Sequence, residues 1–441
     1  MLEKLRNIFK IPELRKRIIF TLSIFVIYRL GGHIPVPGID AGVLGQFFEE
    51  RANTLFGLYD LFAGGNFSRA TIFALGIMPY ISASIIIQLL GSVIPYFHRL
   101  QQQGDEGRKK ITQITRYGTV GIAALQAFGV SAFLQGIQIG SQKVVPTGGL
   151  GFYMLTMITL TAGTVFIMWL GEQIDERGIG NGISLIIFIG IVDRFPYAFL
   201  DEFQLMSQGI RSPFMFLFLI AILIMTTAAV VALTQGSRKI PVTYTKRVVG
   251  RKMYGGQSTH IPLRVNTAGV MPIIFAQTIM FLPQTIATFL PAGGVQDFIS
   301  SAFRYDSYIY MAFYGLLIVF FTYFYTAIAF NPVDVSNNLK KHGGMIPGVK
   351  PGKKTAEFLD NILTKITLPG SIFLALIAVF PSLMGKFVNM GANLAQLYGG
   401  TGLLIVVGVA LDTLQQIDSH LLMRHYDGLM KSGRLKGRRR M

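Results

Sequence analysis

Long, uncharged, apolar runs recur from one end of this 441-residue chain to the other. A helix of about 20 apolar residues is long enough to cross the hydrocarbon core of a bilayer. Hydrophobic residues make up 51% of the chain and its mean hydropathy is +0.50, well above the range of soluble proteins. The sequence therefore predicts an all-α polytopic membrane protein. Ten spans are predicted, at about 18–36, 72–95, 117–137, 150–170, 183–200, 213–234, 267–290, 308–330, 366–385 and 394–411.

The positive charge of the chain is distributed unevenly around these spans. The formal net charge is +18, and 32 of the 40 Lys and Arg residues fall in alternate loops and at the two ends. Loops rich in Lys and Arg stay in the cytoplasm, so both termini are predicted to be cytoplasmic. A basic chain can also bind nucleic acid, but this distribution argues first for topology. The absence of cysteine excludes disulfides and thiolate metal sites.

A short fragment of the second predicted span returns in the seventh. Residues 76–81, Gly-Ile-Met-Pro-Tyr-Ile, are matched 193 positions later by residues 269–274, Gly-Val-Met-Pro-Ile-Ile. When both copies are extended by five residues, six of eleven positions are identical. Each copy places a glycine and a proline inside an apolar run, so Pro79 and Pro272 are predicted to interrupt their helices in mid-span. Broken helices at corresponding places are typical of an inverted repeat around a membrane pathway.

Ten spans divide into five and five, and an odd number per half turns the second half upside down relative to the first. The cytoplasmic side also carries two loops that are too long for simple helix connections, at 235–266 and 331–365. The predicted parts of the chain are an N-terminal cytoplasmic segment 1–17, a first half 18–200, an external hinge 201–212, a second half 213–420 and a basic cytoplasmic tail 421–441.

The predicted spans are poor in groups that could do chemistry. Their formal charges are Arg29, Asp193 and Arg194, all near the outer ends of spans. Ion-coupled transporters need ionisable groups in the membrane, and these are normally few but central. We found no catalytic, cofactor-binding or metal-binding constellation, so we expect a passive conduit that is not an enzyme. A secondary transporter of a small solute and an insertion scaffold without an aqueous pore remain as alternatives.

The outer segment 58–71 has two readings. It is moderately apolar, contains two adjacent glycines and is too short to span a membrane. Non-helical backbone at membrane depth is tolerated only where protein buries it or where it lines a cavity. The segment is therefore predicted either to fold back into the conduit as a stopper or to form an ordinary surface loop.

Several long stretches resemble one family along nearly the whole chain. The matching stretches are Ile-Pro-Val-Pro-Gly-Ile-Asp at 34–40, Phe-Ala-Leu-Gly-Ile-Met-Pro-Tyr-Ile-Ser-Ala-Ser at 73–84, Trp-Leu-Gly-Glu-Gln-Ile at 169–174, Glu-Arg-Gly-Ile-Gly-Asn-Gly-Ile-Ser at 176–184, Gln-Ser-Thr-His-Ile-Pro-Leu at 257–263, Asn-Pro at 331–332, Asn-Leu-Lys-Lys at 338–341 and Pro-Gly at 347–348. On these residues the chain resembles the SecY family, the channel-forming subunits of the bacterial Sec protein translocase.

The resemblance implies two five-helix halves around an hourglass pore with an apolar ring at its waist. Branched aliphatic side chains can close around a passing chain, and an apolar constriction resists ions by dewetting. The implied ring residues are Ile77, Ile81, Ile187, Ile274 and Ile405. The resemblance also makes 58–71 the plug of the pore, with the plug residues Leu61, Phe62, Gly64, Gly65, Asn66, Phe67, Ser68 and Arg69.

The resemblance further implies a lateral gate between spans two, three, seven and eight. Uncharged polar side chains at such a seam can hydrogen-bond across it, although a pair contributes only about 0.6 kcal/mol. The residues predicted for the gate are Ser82, Gln126, Gln277 and Thr278. Plain packing roles for Ser82 and Gln126 remain an alternative.

The long cytoplasmic loops are implied to dock the ribosome and the motor ATPase SecA. The expected docking residues are Arg251, Lys252 and Lys350, of which positions 252 and 350 carry arginine in the family. Lysine keeps the charge but lacks the planar fork of arginine. The resemblance also implies small SecE-like and SecG-like membrane subunits, signal peptides and unfolded secretory or membrane proteins as partners, and a place in the bacterial plasma membrane.

Overall fold

The computed structural model describes residues 11–50, 60, 63–139, 142–244, 247–249, 252–254, 258–289, 293–304, 307–387 and 400–432. The first half of the chain contains the helices α1 (Pro12–Gly31), α2 (Ala41–Glu50), α3 (Met78–Val93), α4 (Pro95–Gln102), α5 (Asp105–Gly136), α6 (Leu150–Arg177), α7 (Gly182–Val192) and α8 (Arg194–Ser207). The second half contains α9 (Pro213–Gln235), α10 (Met271–Phe289), α11 (Gly294–Ala302), α12 (Tyr308–Ala329), α13 (Pro332–Lys341), α14 (Lys353–Phe387) and α15 (Gly400–Ser432).

Each of the ten predicted spans contains one of these helices. Seven helices of the described residues are long and apolar enough to cross a membrane, and an eighth span results if α3 and α4 are counted as one element with a 96° bend. The two remaining predicted spans, 18–36 and 267–290, correspond to α1 and α10. Helix α1 begins with a charged turn, which shortens its uncharged part, whereas α10 is uncharged from Met271 to Phe289.

The two copies of the repeated fragment have the same local structure. Gly76 has a φ of 56° and Gly269 a φ of 62°, and a helix begins two residues later in each copy. The first helical hydrogen bonds also match, because Ile81 N–H donates to the carbonyl of Ile77 and Ile274 N–H to the carbonyl of Val270. The repeat is therefore a repeat of backbone conformation as well as of sequence.

The prediction that Pro79 and Pro272 interrupt helices in mid-span is wrong. Each proline is the second residue of its helix, since α3 begins at Met78 and α10 at Met271. The first backbone N–H groups of a helix have no partner inside the helix, so a proline costs nothing there and its fixed φ favours helix initiation. The non-helical backbone lies before each proline, in turns at 63–77 and 265–270.

Helix α7 is short, and its start is fixed by local interactions. The side chain of Asn181 accepts a hydrogen bond from Ser184 N–H at 3.0 Å and so caps the helix. Asp175 Oδ1 accepts from Gly182 N–H at 2.8 Å, which ties α7 to the end of α6. A Cβ at position 182 would lie 2.0 Å from the carbonyl oxygen of Gly171, so only glycine allows this approach.

The loops between the helices contain β-structure that the sequence analysis did not predict. The strands are β1 (Gln138–Ile139), β2 (Gln142–Lys143), β3 (Ser237–Tyr244), β4 (Arg247–Val249), β5 (Lys252–Tyr254), β6 (Ser258–Arg264) and β7 (Gly344–Met345). Strand β3 pairs antiparallel with β6 on one side and with β7 on the other, and so joins loops 235–266 and 331–365 in one sheet. Ile240 and Val242, which alternate along β3, are buried against α14 residues such as Leu359.

The chain forms two compact units. One holds the described residues up to Arg194 together with those from Val409 onward, and the other holds the described residues Phe195–Gly408. The core of the first unit includes Leu44, Phe67, Ala123 and Leu160. In the second unit the described part of the expected hinge, 201–212, is helical as far as Ser207. The predicted division into halves 18–200 and 213–420 stays a prediction.

The repeated glycine turn yields a stability prediction. Gly269 has a positive φ, and a Cβ there would meet no atom within 4 Å, so substitution adds backbone strain without a clash. We expect Gly269→Ala to lower the free energy of unfolding by about 1 kcal/mol, because alanine disfavours the left-handed region. Gly269→Asn should be milder, since asparagine tolerates that region.

The matched control is Gly121→Ala, at an exposed position of α5 where an added Cβ also meets no atom within 4 Å. It should leave stability equal or higher, because alanine is the better helix former. Unfolding of the detergent-solubilised variants gives the comparison. Equal stability of Gly269→Ala and Gly121→Ala would contradict the requirement for a left-handed residue at 269.

Candidate functional site

The predicted plug is buried in the first unit. Its described residues are 60 and 63–71, which we call the plug segment, whereas Leu61 and Phe62 lie outside the described residues. Ala63 and Asn66 are 0% and 1% exposed, and Phe67 and Ala70 belong to the core of the unit. Ser68 is half-buried and Arg69 is exposed. The surface-loop alternative for the described part of this segment is therefore wrong.

The backbone of the plug segment is hydrogen-bonded although it is not helical. Thr71 N–H donates to Asn66 O at 3.0 Å, and Ala70 N–H donates to Phe67 O at 3.0 Å. The far end is joined to the loop after α1, because Val36 N–H donates to Ala70 O and Ile72 N–H to Ile34 O. These bonds satisfy backbone groups that burial in the protein removes from water.

Asp60 organises the near end of the plug segment. Its Oδ1 accepts hydrogen bonds from the backbone N–H groups of Phe67 and Ser68 at 2.9 and 2.8 Å. Its Oδ2 forms an ion pair with the guanidinium of Arg194, the first residue of α8. The Asp60 side chain is only 6% exposed, so its charge needs this partner.

Two further contacts seat the plug segment on helices α1 and α7. The side-chain amide of Asn66 donates to the hydroxyl of Tyr28 at 3.2 Å. Gly64 lies directly against Gly190, since a Cβ at position 64 would be 2.9 Å from the Cα of Gly190. Gly64 and Gly65 have φ values of 69° and 79°, which favour glycine at both positions.

A second ion pair lies beside the plug segment. Arg29 of α1 pairs with Asp193 at 3.0 Å and also donates to the carbonyl of Ile189 at 2.6 Å. The three charges that the sequence placed near the outer ends of spans are thus all engaged in ion pairs. Arg29 joins α1 to the end of α7, and Arg194 is the one of the three that pairs with the plug segment, through Asp60.

The five predicted ring isoleucines are all buried. Ile77 precedes the first residue of α3 and Ile81 lies one turn into it, with exposures of 2% and 5%. Ile187 lies on α7 in the same unit and is 1% exposed. Ile274 on α10 and Ile405 on α15 belong to the second unit and are 3% and 0% exposed. The structure therefore places three ring positions in one unit and two in the other.

The predicted gate residues make their described hydrogen bonds within their own helices. Ser82 Oγ donates to Met78 O at 3.1 Å, and Thr278 Oγ1 donates to Ile274 O at 2.8 Å. Gln277 is 1% exposed, and neither its Oε1 nor its Nε2 has a hydrogen-bond partner among the described residues. Gln126 Oε1 is likewise buried and unpaired within the described part. Both hydroxyl groups donate within their own helices, and the bonding expected across the seam stays a prediction.

Of the predicted docking residues, one is fully described. Lys350 is exposed and lies in the tight turn between β7 and α14, where Gly348 and Gly352 have positive φ. Its carbonyl accepts a hydrogen bond from Thr355 Oγ1 at 2.9 Å, which fixes the turn. Lys252 begins β5, and Arg251 lies outside the described residues.

Sequence reasoning missed the pairing of Asp60 with Arg194 and the parts played by Tyr28 and Gly190. One signal was available, because Asp60 is the single charge in an apolar stretch and needs a cation once buried. The choice of Arg194 over other cations required the fold, since the two residues are 134 positions apart.

A family model for SecY matches residues 71–414 of the chain. The protein translocase subunit SecY of Aquifex aeolicus is 43% identical over 434 residues, which cover 98% of this chain and 100% of that protein. A solved SecY structure, whose plug domain is described as stabilising the closed state of the translocation channel, has a TM-score of 0.66 at 18% identity, with 96% of this chain and 95% of that one covered.

The Sec61 channel from the canine ribosome–channel complex of the endoplasmic reticulum has a TM-score of 0.62 at 16% identity, with the same coverage of 96% and 95%. At these identities the solved structures show the fold, and they confirm the predicted class of all-α polytopic membrane protein of the SecY type. The family model and the full-length relative both identify the same family. The chain belongs to the SecY family.

Proposed function

We propose that this chain forms a protein-conducting channel, through which unfolded secretory polypeptides cross the membrane and from which transmembrane segments pass sideways into lipid. The observation that carries the proposal is a non-helical segment, buried in the first unit, that leads directly into α3. A buried segment that is not helical fits a stopper that can be removed from a pore. The SecY relative and the solved channels support the same function.

The five buried isoleucines are proposed as the constriction of this channel. Ile81 and Ile274 occupy equivalent positions in the internal repeat, each one turn into its helix. A ring of such side chains offers no hydrogen bonds to a passing polypeptide and excludes water when empty. The burial of all five supports a closed state for the chain on its own.

Gln277 and Gln126 are proposed to lie at the gate through which apolar segments leave. A buried amide without a partner costs about 1–3 kcal/mol. An open state in which water or another polar group pairs with these amides recovers that cost. The closed gate is therefore less stable, relative to the open one, than it would be with apolar side chains at these positions. Ser82 and Thr278 donate hydrogen bonds within their own helices. Their part at the gate would therefore be packing, with no hydrogen bond donated across it.

A secondary transporter is the second candidate, because transporters also use inverted repeats. The described ionisable groups of the spans count against it. Arg29, Asp193 and Arg194 all take part in ion pairs at the outer ends of helices, with no proton or ion relay at their centres. A polypeptide channel needs no such relay, since the driving force comes from a partner.

The ring proposal predicts a leak in the resting channel. Replacing Ile81 and Ile274 together by serine should raise ion conductance across planar bilayers, because a hydroxyl-lined waist loses its dewetting barrier. The control is Ile86→Ser on the same helix α3, at a side chain that is 48% exposed, which should leave conductance unchanged. Equal conductance of the double variant and the parent would contradict the ring.

We also propose that the cytoplasmic loops dock the ribosome or SecA, with SecE-like and SecG-like subunits completing the complex in a bacterial plasma membrane and both termini in the cytoplasm. The shared sheet of β3, β6 and β7 supports a firm platform, since it couples the two loops through backbone hydrogen bonds. Lys350 is exposed at the edge of this region. Ribosomal RNA is a polyanion, so exposed basic side chains attract it.

The docking proposal predicts a salt-dependent defect. Lys350→Glu should weaken cosedimentation with empty ribosomes, and the difference from the parent should shrink as salt rises, because charges are screened beyond about 8 Å at physiological ionic strength. Lys143→Glu, at an exposed lysine of β2 in a predicted outer loop, serves as the matched control and should bind normally. Equal losses at low and high salt would contradict an electrostatic contact.

A further inference from the structure

We infer that the ion pair between Asp60 and Arg194 is a latch that holds the plug segment in its seat and so sets how tightly the resting channel is closed. Asp60 and Arg194 act as positioning residues, because they would work through the plug segment. The inference rests on the proposed function of a plugged channel and adds the interaction that controls the plug.

The carboxylate of Asp60 performs two tasks with its two oxygens. Oδ1 accepts the backbone N–H groups of Phe67 and Ser68 and so holds the plug segment in its folded turn. Oδ2 pairs with the guanidinium of Arg194 and ties that turn to the start of α8. The same side chain therefore shapes the segment and fastens it to the helical frame.

The two ends of the plug segment are held by different forces. At the far end, Val36 and Ile72 exchange backbone hydrogen bonds with Ala70 and Ile34, which no side-chain chemistry controls. At the near end, the side chain of Asp60 makes the attachment. An opening movement therefore releases the Asp60 end and pivots about the segment 70–72.

The plug segment contacts α7 through glycines, which does not hinder that release. Gly64 meets Gly190 with no side chain between them, so no interlocked side chains hold the two backbones together there. The other described side-chain contacts of the segment include neutral ones, such as the hydrogen bond of Asn66 with Tyr28 and the packing of the Phe67 ring against Phe48. The charged pair is the strongest of these contacts, because hydrogen bonds between ionised groups exceed neutral ones.

The burial of the ion pair suits it to resist release of the plug segment. Its side chains are 6% and 22% exposed, so salt screens it less than a surface pair. Removing one partner leaves the other buried charge without its ion-pair partner, which costs more than removing both. The neighbouring pair of Arg29 and Asp193 has similar chemistry but makes no described hydrogen bond to the plug segment, and it provides an internal control.

The test measures resting conductance in planar bilayers for a double-mutant cycle. Asp60→Asn keeps an oxygen for Phe67 and Ser68 but removes the charge, and Arg194→Gln removes the partner. Each single change should raise conductance by about tenfold or more, because the unseated population grows as the latch weakens. The double variant should leak no more than the leakier single variant, because the two residues act as one unit. Asp193→Asn should stay within about twofold of the parent, since it leaves the latch intact.

A second readout separates unseating from general damage. The chain has no cysteine, so Ala63→Cys introduces a single reporter thiol at a position that is 0% exposed. A water-soluble thiol reagent should react slowly with the cysteine of the Ala63→Cys variant and faster when Asp60→Asn is added to it. The unfolding temperature of the two proteins in detergent should agree within a few degrees. Arg194→Lys, which keeps the charge without the planar fork, should react at an intermediate rate and serves as the latch variant if Asp60→Asn does not fold.

The outcomes distinguish a failure of the latch proposal from a failure of the channel proposal. A folded Asp60→Asn or Arg194→Lys variant with parental thiol reactivity would overturn the latch. Deletion of 60–70 tests the proposed function separately, since it should open the channel whatever seats the plug. If that deletion yields no conductance, the proposed channel fails, and the reactivity at position 63 still decides whether the ion pair seats the segment.

Discussion

A peptide group at membrane depth must find a hydrogen-bond partner within the protein, and this constraint shapes the irregular parts of the structure. Helices meet it automatically. The turn at 63–77 meets it through backbone bonds to neighbouring residues and to the loop after α1, and in the turn at 265–270 Val265 N–H donates to Gly236 O. The described part of the plug segment is therefore buried with its backbone hydrogen-bonded, although it is not helical.

The same constraint explains the repeated fragment. A glycine in the left-handed region ends each irregular turn, and a proline at the second helical position starts the helix that follows. Both residues suit a junction between turn and helix, where the first N–H groups need no intrahelical partner. Ile81 and Ile274 then lie at the same distance from their junctions. The equivalence of these two isoleucines in the repeat therefore has a structural basis.

The sequence predicted the parts of the fold that depend on long local patterns. Ten apolar runs gave ten regions that each contain a helix, because a membrane span must satisfy its own backbone over about 20 residues. It misplaced Pro79 and Pro272 within their helices, because an apolar run does not mark where a helix begins inside it. It did not predict β3, although Ile240 and Val242 alternate there, because the strand lies in a charged loop and one of its partners, β7, belongs to another loop.

The candidate site was predictable to a smaller extent. The family resemblance identified the ring isoleucines but did not specify their burial, whereas the residue pattern of the plug segment allowed either a stopper or a surface loop. The seat of that segment depends on Asp60 and Arg194, on Asn66 and Tyr28, and on Gly64 and Gly190. Each of these pairs joins residues that are distant in sequence, so no local pattern contains it. Hydroxyls such as those of Ser82 and Thr278 were expected to bond between helices, but a backbone carbonyl one turn earlier is always nearer.

The central claim is that a polypeptide passes through the waist formed by the ring isoleucines. The most direct measurement places a single photoactivatable crosslinker, attached to a cysteine, at Ile187 or Ile405 and stalls a secretory polypeptide in transit by a folded domain at its end. The same crosslinker at Leu125, which is 73% exposed on α5, reports contact with the outer surface. The account predicts crosslinks to the stalled chain from positions 187 and 405 and none from position 125. Crosslinks from position 125 alone, or equal yields from all three positions, would contradict it.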